Sequence, residues 1–303
     1  MLENVKLNFN EDNLLILNVA LGIIMFGVAL SLEIGNFKAL LEKPKALITG
    51  VTSQFLLLPF LTFLLILIID PLPGLALGMI LVAACPGGNV SNFYTSLAKG
   101  NVELSVLLTV IASTLAVFFT PINFKFWAGN LENTPAIFEH LQVDFWKMVS
   151  TILFVLVIPL ISGLIVANKL PKLTKVIVKP IKILSIIILA VIIIMAFMAN
   201  LEIFKEYYQH IVYLVLIHNA VALVSAYFYG RLLGNEERNC ITVSMETGIQ
   251  NSALGLVLIF NFFDGNGAMA IITAWWGIWH LIAGFVASQF YAYRTKLLLQ
   301  TSS

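Results

Sequence analysis

Long uncharged, apolar stretches alternate along the chain with short clusters of charge, and that alternation predicts helices able to cross a bilayer. The stretches run over 13–32, 46–69, 71–98, 104–124, 148–168, 183–201, 207–230, 239–263 and 268–293, each near the ~20 residues that a spanning helix needs. The expected fold is an all-α integral membrane protein of about nine spans, in one transmembrane unit over 1–303. Two spans break the pattern. The third carries "CPGGNVSN" at 85–92 and the eighth carries "METGIQNS" at 245–252. Pro86 has no amide proton, and Gly87 and Gly88 release the backbone from helical geometry. Unpaired backbone groups are costly in hydrocarbon unless protein or an aqueous cavity satisfies them. Pro86 alone reads as a kink that eases packing. The Asn and Ser residues behind it, with a second polar break far downstream, favour a pair of broken helices that cross. A side chain at Gly88 would then crowd the opposite break, and Gly248 is the expected point of contact.

A weak internal echo supports the pairing. Residues 23–34 read IIMFGVALSLEI and residues 193–203 read IIMAFMANLEI. The first span runs inward and the sixth outward, so the two sets are inverted repeats, about 13–126 and about 141–294. The broken third and eighth spans become equivalents, and matched broken helices in inverted halves mark the binding site of a secondary transporter.

Composition strengthens the membrane assignment. Hydrophobic residues make up 60% of the chain, charged residues 11%, and the mean hydropathy is +0.96, more apolar surface than a soluble domain of this size can bury. Charge then sets the orientation. With the N-terminus outside, Lys38, Lys43, Lys45, Lys99, Lys169, Lys172, Lys175, Lys179, Lys182, Arg231, Arg238, Arg294 and Lys296 fall in cytoplasmic loops. Only Lys6, Lys125, Lys147 and Lys205 fall outside, which places the C-terminus in the cytoplasm. Glu3, Glu11 and Asp12 precede the first apolar run where a cleavable leader would be basic.

The candidate chemistry lies in polar residues at membrane depth. Glu246 sits well inside the eighth span, where an ionised carboxylate is neutralised, paired or bound to a cation. No lysine or arginine shares its depth. Gln250 follows at the same-face spacing if the helix continues across Gly248, and Ser105 and Thr109 share that spacing on the fourth span. Gln54, Ser91 and Asn92 add oxygen atoms. Hydroxyls, amides and one carboxylate suit a hard cation rather than copper or zinc. Cys85 and Cys240 have no metal-binding spacing and read as packing residues. His140, His210, His218 and His280 show no catalytic partners, so an enzyme is not expected. A channel needs a polar path, whereas these groups converge on one depth; a sodium- or ligand-sensing receptor that moves nothing stays open.

"CPGGNVSN", "LAKGNVELSV", "ETGIQNSAL", "IWHLIAG", "GIIMFGVALSLEIGNF" and "LIHNAVALVSAYFYG" together closely resemble the bile acid:sodium symporter family, especially its bacterial ASBT-like members. The resemblance covers nearly all of the chain. It implies a core and a panel domain flanking a cavity, two sodium ions behind the helix crossing, and symport of an organic anion by alternating access. One sodium site would use Ser91, Asn92, Ser105, Thr109 and Glu246; the other Gln54, Glu246 and Gln250, with backbone carbonyls near Thr247 and Ile249. Asn89, Val90, Asn251 and His280, with His218 nearby, would meet the substrate. The implied setting is a monomer in the inner membrane, surrounded by lipid, with no nucleic acid partner. Bile acids, pantoate-like hydroxy acids and other organic acids are all compatible substrates. Three departures stand out. Many bacterial members have ten spans and this chain nine; Asn89 and Val90 stand where Thr-Ala commonly follows the glycines; Leu281 stands where a relative has Asn. The last two fall where substrate is read. Arsenite efflux, found in the wider superfamily, is disfavoured because Cys85 has no thiol neighbour in sequence.

Overall fold

A computed structural model describes residues 11–30, 44–131, 144–199 and 201–301. Eleven helices form from them: α1 (Glu11–Ala29), α2 (Lys45–Ile69), α3 (Pro73–Ala84), α4 (Val90–Leu97), α5 (Val102–Gly129), α6 (Phe145–Lys169), α7 (Pro171–Ala199), α8 (Leu201–Leu232), α9 (Glu237–Gly248), α10 (Ser252–Phe262) and α11 (Gly267–Thr301). The fold is all-α and multi-span. Helices α2, α5, α6, the Ile211–Leu232 part of α8 and the Gly267–Leu297 part of α11 are long and apolar enough to cross a bilayer unaided. The third and eighth expected spans are each split in two, into α3 and α4 and into α9 and α10. At 1.5 Å per residue, α3 is about 18 Å long, well short of the hydrocarbon thickness. Lys6, Lys38, Lys43 and His140 lie outside the described residues, as do the C-terminal end of the 23–34 echo and the first residues of the second repeat.

Several helices run past the expected boundaries: α8 starts at Leu201 and α11 continues to Thr301, which takes Lys205, Arg294 and Lys296 into helices. Helix α7 begins at Pro171 rather than near 183, so Lys172, Lys175 and Lys179 ride on its first turns instead of in a loop. Proline is suited to a first helical position because its missing amide proton would have had no intrahelical partner there.

The distribution of polarity is that of a protein whose solvent is lipid. On α2, Leu56, Phe60, Leu64 and Leu67 form an outward stripe between 36% and 57% exposed, while Gln54 and Thr62 are fully buried. Apolar side chains meet hydrocarbon and polar ones turn inward to partners. Helices α2 and α6 each contain one widened π-turn, Ser53–Leu57 and Leu153–Val157, just upstream of Pro59 and Pro159. A proline ring displaces the carbonyl four residues earlier, and the wider turn accommodates it.

Two groups of helices result. Helix α1 packs along α6 and α7, while α2, α3, α4, α5, α8, α9 and α11 pack around the breaks. The basic residues of several connections gather at one end of the second group. Lys45 Nζ donates to Gly234 O at 2.9 Å, Arg238 Nη2 to Gly100 O at 3.2 Å, and Arg231 pairs with Glu237 at 3.2 Å. The free ends of α4 and α9 lie there; α10 and α3 extend the opposite way.

Candidate functional site

The two breaks meet. Gly87 and Gln250 face each other as an isolated antiparallel bridge, with Gly88 N donating to Ile249 O at 2.6 Å and Asn251 N to Pro86 O at 2.9 Å. A Cβ on Gly88 would lie 2.9 Å from Gln250 O, so only glycine permits this approach. The partner is Gln250 rather than Gly248, which lies instead against Leu223.

Many of the backbone groups released by the breaks have a partner. Thr120 Oγ1 donates to Ala84 O at 2.7 Å, Gln250 Nε2 to Thr247 O at 2.8 Å, and Asn219 Nδ2 to Gly248 O at 2.7 Å. Gly87 N donates to Gln54 Oε1 at 2.9 Å, and Ser91 N to Gly88 O at 3.0 Å. Asn251 caps α10 by accepting from Leu254 N at 3.0 Å. Such accounting is what lets a chain break at membrane depth. The backbone amides of Asn89 and Val90, entering α4, have no protein acceptor among the described residues.

Glu246, fully buried on the last turns of α9, is the centre of an all-oxygen cluster. Ser91 Oγ and Ser105 Oγ both donate to its Oε1. Thr109 Oγ1 lies 3.4 Å from Oε1, 3.3 Å from Oε2 and 3.4 Å from Asn92 Oδ1. Ser105 Oγ is also 3.2 Å from Thr95 Oγ1. The five residues expected to share one ion therefore converge, from α4, α5 and α9. Among the described residues no lysine or arginine pairs with this carboxylate. Its hydrogen-bond partners there are hydroxyls, and oxygen donors of this kind fit a hard cation.

A second group lies across the bridge. Gln54 on the π-turn of α2 holds Gly87 N, and a Cβ on Gly87 would sit 2.9 Å from Glu246 Oε2 and 3.3 Å from Gln54 Nε2. Gln250 Oε1 and Asn219 Oδ1 are buried acceptors without a hydrogen-bond partner among the described residues. Orphaned acceptors at membrane depth are expensive unless a cation or water meets them. Gln250 does not reach Glu246 through an i, i+4 helical face, because α9 ends at Gly248. The break instead sets Gln250 opposite Gly87.

The expected substrate residues are less tightly grouped. Asn89 Nδ2 points at Met25 Sδ of α1, 3.7 Å away, and Val90 is half-buried beside it. The carbonyl of Asn251 is committed to its cap, leaving its NH2 for other partners. His280 is buried on α11, one turn before Gly284, whose face abuts Tyr94 and Ile249. His218 is occupied elsewhere, 2.7 Å from Thr62 Oγ1 and 4.7 Å from the Trp276 ring. Three residues at the site were not foreseen: Ser53, bonded to Thr247 Oγ1 at 2.9 Å, Thr95 and Asn219. Ser53 and Asn219 are uncharged polar residues inside expected spans, the signal that marks Gln54, whereas Thr95 lies near the end of its span. Cys85 and Cys240 are free and buried.

The profile of the Sodium Bile acid symporter family matches residues 18–207. An uncharacterized sodium-dependent transporter of Bacillus subtilis, YocS, is 31% identical over 92% of this chain and 84% of its own length. The probable sodium/metabolite cotransporter BASS1 of Arabidopsis thaliana chloroplasts is 29% identical over 88% of this chain, which spans 64% of that relative. A sodium-dependent organic anion transporter of Bos taurus is 24% identical over 91% of this chain and 73% of its own length.

Proposed function

The chain belongs to the Sodium Bile acid symporter family, and from that premise we propose that it couples sodium entry to the movement of a small organic anion by alternating access. It is a transporter rather than an enzyme. The observation that carries the reading is the buried Glu246 carboxylate ringed by Ser91, Asn92, Ser105 and Thr109 at the meeting of two broken helices.

Two sodium ions would share Glu246. One takes the hydroxyl and amide oxygens around it. The other takes Gln54 and Gln250 with backbone carbonyls near Thr247 and Ile249, and the orphaned Gln250 Oε1 supports that set. Bound sodium balances the carboxylate and holds the two breaks in register. The anion then meets the amide ends of α4 and α10, where the helix dipoles favour negative charge, with Asn89, Val90, Asn251 and His280 around it. The unshared amides of Asn89 and Val90 support this placement.

The inverted repeat fits the same scheme. An antiparallel bridge has local two-fold symmetry, and Gly87 facing Gln250 would lie on the axis relating the halves. Helices α1, α6 and α7 would form the panel and the remaining helices the core, rocking against each other around the site. The basic cluster at the free ends of α4 and α9 supports a cytoplasmic assignment for that end, with the protein in the inner membrane as a monomer.

Counterflow in liposomes tests the function. Protein reconstituted with an internal organic acid is expected to exchange labelled external acid, saturably and faster with sodium. A channel would dissipate the gradient without saturation, and a sensor would exchange nothing; either result refutes symport.

A further inference from the structure

The two helix groups touch the two breaks unequally. Helix α10, the second half of one break, packs against α1, α6 and α7 as well as α3 and α11. Helix α4, the second half of the other, packs on α5, α9 and α11, and its Phe93 is 59% exposed. The α1 group therefore covers the crossing on the α10 side.

That cover is fastened at its rim by two amides. Asn261 Nδ2 donates to Asn18 Oδ1 at 3.1 Å, and Asn18 Nδ2 to Asn261 Oδ1 at 3.5 Å, across 243 residues of sequence. Asn261 is held in place by a second bond, Nδ2 to Val257 O at 2.7 Å. It lies ten residues beyond Asn251, about 15 Å along the helix from the crossing. From Asn18 inward, Leu21, Ile24 and Met25 of α1 are buried, and Met25 ends the seal against Asn89.

A reciprocal amide pair suits a contact that must open and reclose. Both side chains are half-buried, and on separation each exchanges one neutral hydrogen bond for bonds to water, so opening costs little net free energy. Between purely apolar residues, separation would wet hydrocarbon instead.

We propose that the Asn18–Asn261 pair is the latch of the gate on the α10 side, closed while the site faces the α4 side and broken when the site faces the other way. Charge distribution assigns the α10 side to the exterior. The inference rests on the alternating-access reading above and names the contact that performs it.

The test is an Asn18→Cys/Asn261→Cys pair in reconstituted full-length protein, joined by a short thiol cross-linker that a reductant cleaves. The native Cys85 and Cys240 are both buried. Cross-linking is expected to cut sodium-driven uptake of labelled organic acid about tenfold or more, with recovery on reduction. Uptake unchanged after complete cross-linking overturns the latch and leaves the transport reading standing, whereas a wild-type protein that carries nothing overturns transport. A second measurement is independent of transport. Adding Asn18→Ala to a Met25→Cys protein is expected to raise the exterior labelling rate of that cysteine, by a membrane-impermeant thiol reagent, about threefold or more. An unchanged rate overturns the latch whatever the uptake assay gives.

Discussion

Gly88→Ala adds one methyl group where two broken helices meet backbone to backbone. Its Cβ would lie 2.9 Å from Gln250 O, 3.2 Å from the Gln250 carbonyl carbon and 3.4 Å from Ile249 O. Those are main-chain atoms, held from behind by the Asn219 bond to Gly248 O and by the Asn251 cap, so no flexible tip can swing aside. The breaks must part by several tenths of an ångström. Overpacking of this kind costs about 1–3 kcal/mol, and weakening the 2.6 Å bond from Gly88 N to Ile249 O adds about 1 kcal/mol. If sodium binds only when Glu246, Gln54 and Gln250 are held in register, that penalty of about 2–4 kcal/mol falls on the bound state and lowers sodium affinity roughly 30- to 1,000-fold. Thermal unfolding at increasing sodium reads the affinity, because a ligand that binds only the native state raises its stability. Gly129→Ala is the control, since a Cβ there meets nothing within 4 Å. A Gly88→Ala protein with the wild-type sodium response would refute the claim that the crossing assembles the ion site.

Other substitutions separate the roles assigned above. Thr109→Ala and Gln54→Ala are each expected to weaken the sodium response and to remove sigmoidicity from uptake plotted against sodium; unchanged curves in both would return these groups to helix packing. Asn219→Ala strips Gly248 O of its donor and is expected to lower stability by about 1–3 kcal/mol, read as a fall in melting temperature without sodium. His280→Gln is expected to raise KM for the organic acid severalfold while leaving sodium stabilisation intact, and a loss of sodium response instead would move His280 from substrate to ion.

Much of this architecture was legible because hydrocarbon is an intolerant solvent. A charged or amide side chain in mid-span needs a reason, and Glu246, Gln54, Ser105 and Thr109 stood out against apolar neighbours on that ground alone. The breaks were legible from Pro86, Gly87 and Gly88, whose backbone chemistry has few other uses at that depth. The start of α7 was not, because the lysines that mark a loop for topology are also good helix formers and extend a helix into the interface. The position of Gln250 opposite Gly87 was hidden for a different reason. Helical spacing describes two residues only while the helix lasts, and α9 ends between Glu246 and Gln250. Asn18 and Asn261 gave no sign of each other, since nothing local links residues 243 positions apart.

If Glu246 holds sodium and that sodium is coupled to an organic anion, coupling must depend on the charge of this one side chain. Glu246→Gln keeps the size of the side chain and hydrogen-bonding atoms for Ser91, Ser105 and Thr109 but removes the charge that balances a cation. The direct measurement follows radioactive sodium into liposomes while an inward gradient of the transported acid is imposed, for wild type and Glu246→Gln side by side. Acid-driven sodium entry is expected in the wild type and none in the variant, with both proteins folded. Sodium entry indifferent to the acid gradient in the wild type, or a Glu246→Gln protein coupled as well as wild type, would contradict that expectation.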